Sequence, residues 1–315
     1  MNKRDWVHLH KAMIMMPAYA LCPVSAQEWE SQFNPRAAVP AFASFQEAQA
    51  KRSAAYRESL NHSQWQGDVP YGPGERQRLD WFKGRAGGPL HVFFHGGYWR
   101  GGDRKNVSLL ARHLQAAGVH VVIPSYDLCP AVDLSQTVRC AREALAWIAK
   151  HAQSMGADPE LISISGHSAG AHLCSMLLAT DWGSEQLPKD MIKAAVFSSG
   201  VFDPAVALYI SVNEEIRLTP ALAQSNNSMI MPVQHQAACW VTVGGAEPWR
   251  WIELSLQYGQ HLRRQGIDAA IEVIPGFNHF SILDSLEQPD SSLSRCLLSA
   301  AFFPVASKSC VPRCP

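Results

Sequence analysis

One junction constrains this chain more than any other. An apolar run, Ile162-Ser163-Ile164-Ser165, passes into Gly166-His167-Ser168-Ala169-Gly170 and on into the helical Ala171-His172-Leu173-Cys174. A serine set between two glycines where a strand turns into a helix has its Oγ lifted clear of the sheet, and the small neighbours permit the crowding. The start of the following helix adds a backbone N–H and a positive dipole end where an oxyanion would develop. Ser168 is therefore the candidate nucleophile, and the strand before it predicts a sheet.

The rest of the chain repeats the strand–helix alternation. Short apolar runs at 77–82, 90–94, 120–124, 161–165, 194–198, 240–243 and 270–274 read as strands. Several are apolar without alternation, as parallel strands covered on both faces are. Helices are expected at 106–117, 135–154, 169–180 and 251–265. Of these, 135–154 has Ser135 as N-cap candidate and Val138, Ala141, Leu145, Ile148 and Ala152 on one stripe, and 251–265 is closed by Gly266. An earlier helix at 44–60 has a weak apolar face and is expected on the surface. This order predicts an α/β fold with a mostly parallel, doubly wound sheet and helices on both faces. Such sheets bind ligands at the carboxyl ends of their strands.

Three further motifs fall at such ends. His95-Gly96-Gly97-Tyr98-Trp99-Arg100 follows the 90–94 strand, and its glycines let backbone N–H groups face a cleft with no Cβ in the way. Gly276-Phe277-Asn278-His279-Phe280 follows the last strand, from which a histidine can reach back to Ser168 as general base. Any one of 13 histidines is a weak signal, and position singles out His279. His167 and His172 flank the nucleophile and read as structural, while His235 and His261 lack a strand-end setting. An acid to orient His279 is expected after the 240–243 strand, where Glu247 sits; Asp203, after the 194–198 strand, is the rival.

Composition narrows the classes. With 27 Lys+Arg against 27 Asp+Glu, the 315-residue chain has no basic surplus for nucleic acid. No run of 18 apolar residues predicts a membrane span. HExxH, P-loop and dinucleotide motifs are missing, and the eight cysteines include no CxxC pair, so no metal and no cofactor are implied. Scattered cysteines in a long chain suit a cytoplasmic protein. A secretory signal is the alternative, since Met1 to Lys11 is basic, 12–21 mildly apolar and Val24-Ser25-Ala26 similar to a cleavage site, but Pro17 interrupts the apolar stretch.

The motifs together resemble the α/β-hydrolase superfamily and, within it, the kynurenine formamidase (arylformamidase)-like branch related to hormone-sensitive-lipase esterases. His95 to Arg100, Ser125-Tyr126-Asp127-Leu128-Cys129-Pro130, Gly166 to Leu173, Gly244-Gly245-Ala246-Glu247 and Phe277-Asn278-His279-Phe280-Ser281 carry the resemblance, and Phe33-Asn34-Pro35-Arg36 looks like its start. The resemblance implies Ser168 as nucleophile, His279 as base and Glu247 as acid, with Gly96, Gly97, Tyr98 and Ala169 supplying or framing an oxyanion hole. Glu247 departs from the pattern, since many relatives carry Asp there. The expected organisation is an extension at 1–27, disordered or signal-like, one hydrolase domain at 28–303 whose first part, 28–70, is a helical cap-like segment, and a tail at 304–315 with Cys310 and Cys314 for which the family offers no counterpart.

The implied reaction is hydrolysis of a small-molecule ester or aryl formamide through an acyl-enzyme. A short-chain carboxylesterase without formamidase activity is the alternative, and a non-catalytic binding protein on the same scaffold is a remote one. Ten tryptophans exceed what the core needs. Trp99, Trp249 and Phe277, with Tyr98 and Trp251, fall in the expected site loops and could line an aromatic substrate pocket. The oligomeric state stays open, a homodimer being one option.

Overall fold

The computed structural model describes residues 25–303. Cys22, the tail cysteines and the signal-like residues before Ser25 lie outside the described residues. Three helices open the chain, α1 (Ala26–Phe33), α2 (Pro35–Ala38) and α3 (Phe42–Glu58), followed by β1 (Trp65–Pro70), β2 (Arg78–Phe82) and β3 (Gly88–Phe94). A 3-10 segment, Arg104–Leu110, runs into α4 (Ala111–Ala116) and β4 (His120–Pro124). Then come α5 (Leu134–His151), β5 (Ala157–His167), α6 (Ala169–Leu178) and β6 (Ile192–Ser198). Two short helices, α7 (Asn213–Ile216) and α8 (Pro220–Ser225), precede β7 (Ala238–Gly244), α9 (Trp249–Arg264), β8 (Ala269–Ile274) and α10 (Ser292–Ala301).

The sheet has eight strands in the order β1-β2-β4-β3-β5-β6-β7-β8. β1 and β2 pair antiparallel, as do β2 and β4, and every pairing from β4 through β8 is parallel. The expected doubly wound α/β sheet is therefore the observed one. Side chains alternate across it. Leu90, Val92, Phe94, Ile162 and Ile164 face the larger core, under α5, α6 and α9, while Phe93, Val121, Ile123 and Val196 face the second, with α4 and α10.

Three expectations change. The α5 stripe is buried as read, but its N-cap is Asp133, whose carboxylate accepts from Gln136 N, while Ser135 Oγ accepts from Asn226 Nδ2 at 2.9 Å. α1 begins at Ala26, capped by Ser25 Oγ accepting from Glu28 N, and buries Trp29 and Phe33 in the larger core. The folded body thus reaches back past residue 28. The 28–70 segment is helical only in part, because it ends in β1. Gly67, Asp68 and Pro70 disfavour a strand, and β1 survives as a bulged edge paired to β2 alone.

One polar cluster sits inside the sheet. His91 on β3 bridges two serines of β5, with Nδ1 at 2.8 Å from Ser163 Oγ and Nε2 at 2.6 Å from Ser165 Oγ. Burial pushes its pKa down to about 3, and those of His95 and His172 to about 4. All three fold neutral, whereas the unfolded chain protonates them near pH 6.5. Their contribution is therefore complete above about pH 6.5 and is lost as pH falls toward the folded values, at up to about 1.4 kcal/mol per histidine per pH unit. The melting temperature is expected to drop clearly between about pH 7 and about pH 5. Equal values at the two would show that these histidines are not held neutral.

Candidate active site

The site is assembled where the loops after β3, β5, β6, β7 and β8 meet. Each strand end is stitched to the next. Ser168 N donates to Ser198 O at 2.9 Å, Ser199 N to Thr242 O at 2.8 Å, and Gly245 N to Ile274 O at 2.7 Å. At these ends the backbone turns into the left-handed region at non-glycine residues: φ is 52° at Tyr98, 56° at Ser168 and 50° at Ser199. Such conformations are held only where surrounding structure over-determines them.

Ser168 occupies the turn between β5 and α6. His279, in the loop after β8, places Nε2 at 3.0 Å from Ser168 Oγ, and its Nδ1 lies 2.7 Å from Glu247 Oε2. All three residues are buried. The tautomer that fits has Nδ1–H donating to the carboxylate and Nε2 accepting from the hydroxyl. The other carboxylate oxygen accepts from Gly244 N at 2.8 Å and from the Ser199 hydroxyl. The longer Glu side chain is thus fixed at both oxygens. Asp203, the rival acid, instead caps the 3-10 segment Pro204–Tyr209 and accepts from Asn227 Nδ2 at 2.9 Å. His167 and His172 are both held by backbone carbonyls: His167 Nε2 bonds His279 O at 2.8 Å, and His172 lies between Trp99 Nε1 and Asn226 O.

Across from Ser168 lies the loop after β3. Gly97 has φ of 125°, and a Cβ there would stand 2.2 Å from Gly101 O, so only glycine fits. Among the described residues, the N–H groups of Gly97 and Tyr98 donate to no protein acceptor, and Gly96, Gly97 and Tyr98 all line the cleft that holds Ser168. Ala169 opens α6 beside Ser168. The loop is braced from behind, where the Tyr126 hydroxyl donates to His95 O and its ring stacks on His95 at 4.4 Å. Buried Arg104 ties its far end down through Asp80 at 2.9 Å.

The cleft has a volume of about 220 Å³. The expected aromatic lining is corrected. Trp99 is fully buried, with φ of 57° turning it away from the cleft and its indole N–H on His172. Trp251 is buried behind His279, edge-on at 4.7 Å, and donates to Ser199 O. Trp249 is 53% exposed beneath the Arg250 guanidinium, and Phe277 packs on the second core. The walls come instead from Phe280 and Leu283 after β8, from Val107, and from Asn34, Arg36, Phe45 and Gln49 of the N-terminal helices. The helix carrying Phe45 and Gln49 was expected at 44–60, and Asn34-Pro35, an N-cap followed by proline, signals the short helix that carries Arg36, but neither signal places these helices on the cleft. Among the described residues, no cluster of His, Cys, Asp and Glu could hold a metal ion, and no helix is long and apolar enough to cross a membrane.

A nucleophile turn, a buried Ser–His–Glu chain and free amides across from it are the working parts of acyl-transfer hydrolases. The comparison with protein families agrees: residues 91–283 match a family described as having the α/β hydrolase fold. The chain belongs to that family. The kynurenine formamidase of Danio rerio is 31% identical over 240 residues, covering 73% of this chain and 80% of the relative. That of Drosophila melanogaster is 30% identical, covering 72% and 78%. Among solved structures, a putative thioesterase from Silicibacter sp. TM1040 superposes with TM-score 0.73 at 28% identity, covering 85% of this chain and 98% of that one. An esterase from Pyrobaculum calidifontis, at 18% identity and TM-score 0.68 over 90% of this chain and all of that one, shares the fold. The resemblance read from the motifs is borne out.

Ser199, which the sequence did not single out, joins the candidate site through its hydroxyl on Glu247. Its hydroxyl orients Glu247, and a buried hydrogen bond to a charged group contributes about 1.5–3 kcal/mol. Ser199→Ala is expected to lower kcat about tenfold with KM nearly unchanged, because the lost donor acts through Glu247 on His279. Steady-state kinetics check this. An unchanged kcat with only a lower melting temperature would assign Ser199 to packing.

Proposed function

We propose that this hydrolase cleaves small acyl esters or aryl formamides, in the manner of kynurenine formamidases, with Ser168 as nucleophile. The observation that carries the reading is the continuous Ser168–His279–Glu247 hydrogen-bonded chain opening into the cleft. Ser168 Oγ attacks the substrate carbonyl carbon while its proton passes to His279 Nε2, and Glu247 stabilises the resulting imidazolium. The negative oxygen is received by the amides of Gly97, Tyr98 and Ala169, framed by Gly96. His279 returns the proton to the leaving nitrogen or oxygen, and the bond to the carbonyl carbon breaks. Water, deprotonated by His279, then releases the acid and restores Ser168.

A small cleft suits a short acyl group. The similarity to kynurenine formamidases over most of the chain favours a formyl group on an aromatic amine. A single hydrolase domain within residues 25–303 and a cytoplasmic setting belong to the same reading, the latter supported by the free thiols Cys129, Cys140, Cys174, Cys239 and Cys296. The test is kcat/KM for N-formylkynurenine beside that for p-nitrophenyl acetate and butyrate. Hydrolysis of both classes is expected. If N-formylkynurenine is not cleaved above background while the esters are, the protein is a short-chain carboxylesterase.

A further inference from the structure

Among the described residues, the cleft carries a positive charge, on Arg36, with no carboxylate paired to it. Three of its lining residues, Arg36, Arg100 and Asp103, bear full charges. Asp103 is flanked by Arg76 at 3.8 Å and Arg104 at 4.0 Å. Arg100 is paired with Glu215, and its side chain is only 8% exposed. Its pKa is lowered by burial and then by the charge of Arg36, so the two guanidinium groups are near enough to repel. Two of the lining histidines add no charge to this balance: His95 is pushed down to about 4, and His167 well below its ordinary value, both chiefly by burial. Among the described residues, Arg36 has no carboxylate partner within 4 Å, and it is exposed at the cleft mouth.

Arg36 is also held in place. Asn34 Oδ1 accepts its backbone N–H and caps α2, while the Tyr98 hydroxyl donates to Phe33 O at 3.1 Å, tying this segment to the loop that faces Ser168. The guanidinium lies 5.0 Å over the Phe42 ring. Phe42 packs on Phe280 at 5.9 Å, and Phe280 meets His279 edge-on at 5.5 Å. A line of aromatic rings therefore runs from the general base to an unpaired guanidinium. Stacking leaves the edge of the guanidinium fork free, and that edge matches a carboxylate in two parallel hydrogen bonds.

We infer that Arg36 binds the carboxylate of an acidic leaving group, and so sets how strongly an acid is preferred over its neutral counterpart. This rests on the reading above that Ser168 attacks an acyl compound bound in the cleft. Arg100 adds to the positive field, and Arg36 supplies the contact. The N-terminal helices thereby become part of the substrate site.

The test separates binding from turnover. Ser168→Ala is titrated with N-formylkynurenine and with its α-carboxamide, then again with Arg36→Gln added. Ser168→Ala is expected to bind the acid at least about tenfold more tightly than the amide, consistent with a charge-assisted bidentate pair. Adding Arg36→Gln should bring the two affinities within about threefold, and Arg36→Lys, which keeps the charge but not the fork, should fall between. Equal affinity for acid and amide in Ser168→Ala, no binding of the acid, or a preference that survives Arg36→Gln each overturns the inference. Failure of the hydrolase reading would appear elsewhere, as wild-type protein that cleaves neither formamides nor esters.

Discussion

Ser168→Ala is expected to lower kcat by about 10⁴-fold or more, with KM changed only a few-fold and the melting temperature close to wild type. The size follows from what is lost: without Oγ there is no nucleophile to share the barrier over two steps, and the amides of Gly97 and Tyr98 can only assist attack by water. The fold should tolerate the change, because Ser168 sits at φ of 56° and alanine meets that turn with the same Cβ. His279→Ala should lose a similar amount, and the double variant little more, since residues acting as one unit are not additive. Glu247→Gln should cost about 10³–10⁴, because an amide favours the wrong histidine tautomer. Asp203→Asn should lie well above all of these. The measurements are initial rates on p-nitrophenyl acetate and covalent labelling by a fluorophosphonate. Ser168→Ala that still labels and turns over at a rate near wild type would displace Ser168 from the mechanism.

What the sequence made legible was whatever depends on short-range order. Parallel strands buried on both faces are largely apolar, so β3, β4, β6 and β7 stood out; β2 and the edge strand β8 kept enough apolar residues to be read, and β1 did not, being a half-exposed edge with Gly67, Asp68 and Pro70 in it. Ser168, His279 and Glu247 could be placed because a doubly wound sheet delivers its strand ends to one rim in a known order. Side-chain direction beyond those ends was not legible. Trp99 and Trp249 stand next to the right loops, yet one backbone angle turns Trp99 into the core and a helix start carries Trp249 out to solvent. Part of the cleft wall comes from α2 and α3, which lie more than a hundred residues before Ser168, and α3 has almost no apolar face to announce its docking. Arg36 belongs to that group. Its motif was visible, while its place in the cleft needed Trp29 and Phe33 to be seen in the core and Tyr98 bonded to Phe33.

Gly170→Ala is the variant expected to damage fold and chemistry together. Gly170 lies in the first turn of α6, where a Cβ would stand 1.9 Å from Phe94 O and 2.6 Å from His95 O. Those are backbone atoms at the end of β3, so no rotamer change relieves the clash and α6 must move away from the strand. Forcing extra atoms into a packed interior costs about 1–3 kcal/mol, and rigid backbone on the far side puts this site at the upper end, a fall in melting temperature of about 5 °C for a chain of this length. The shift would also carry Ser168 and Ala169 N–H, two residues and one residue upstream, away from Gly97 and Tyr98. Misplacement near 1 Å is enough to cost about 10² in rate. Thermal unfolding and ester turnover of the same preparation test both halves. Gly101→Ala is the control, since a Cβ there meets nothing nearer than 3.8 Å and should leave the melting temperature within about 2 °C. If Gly170→Ala melts with the control and keeps full turnover, the close approach of α6 to β3 is not what sets the nucleophile in place.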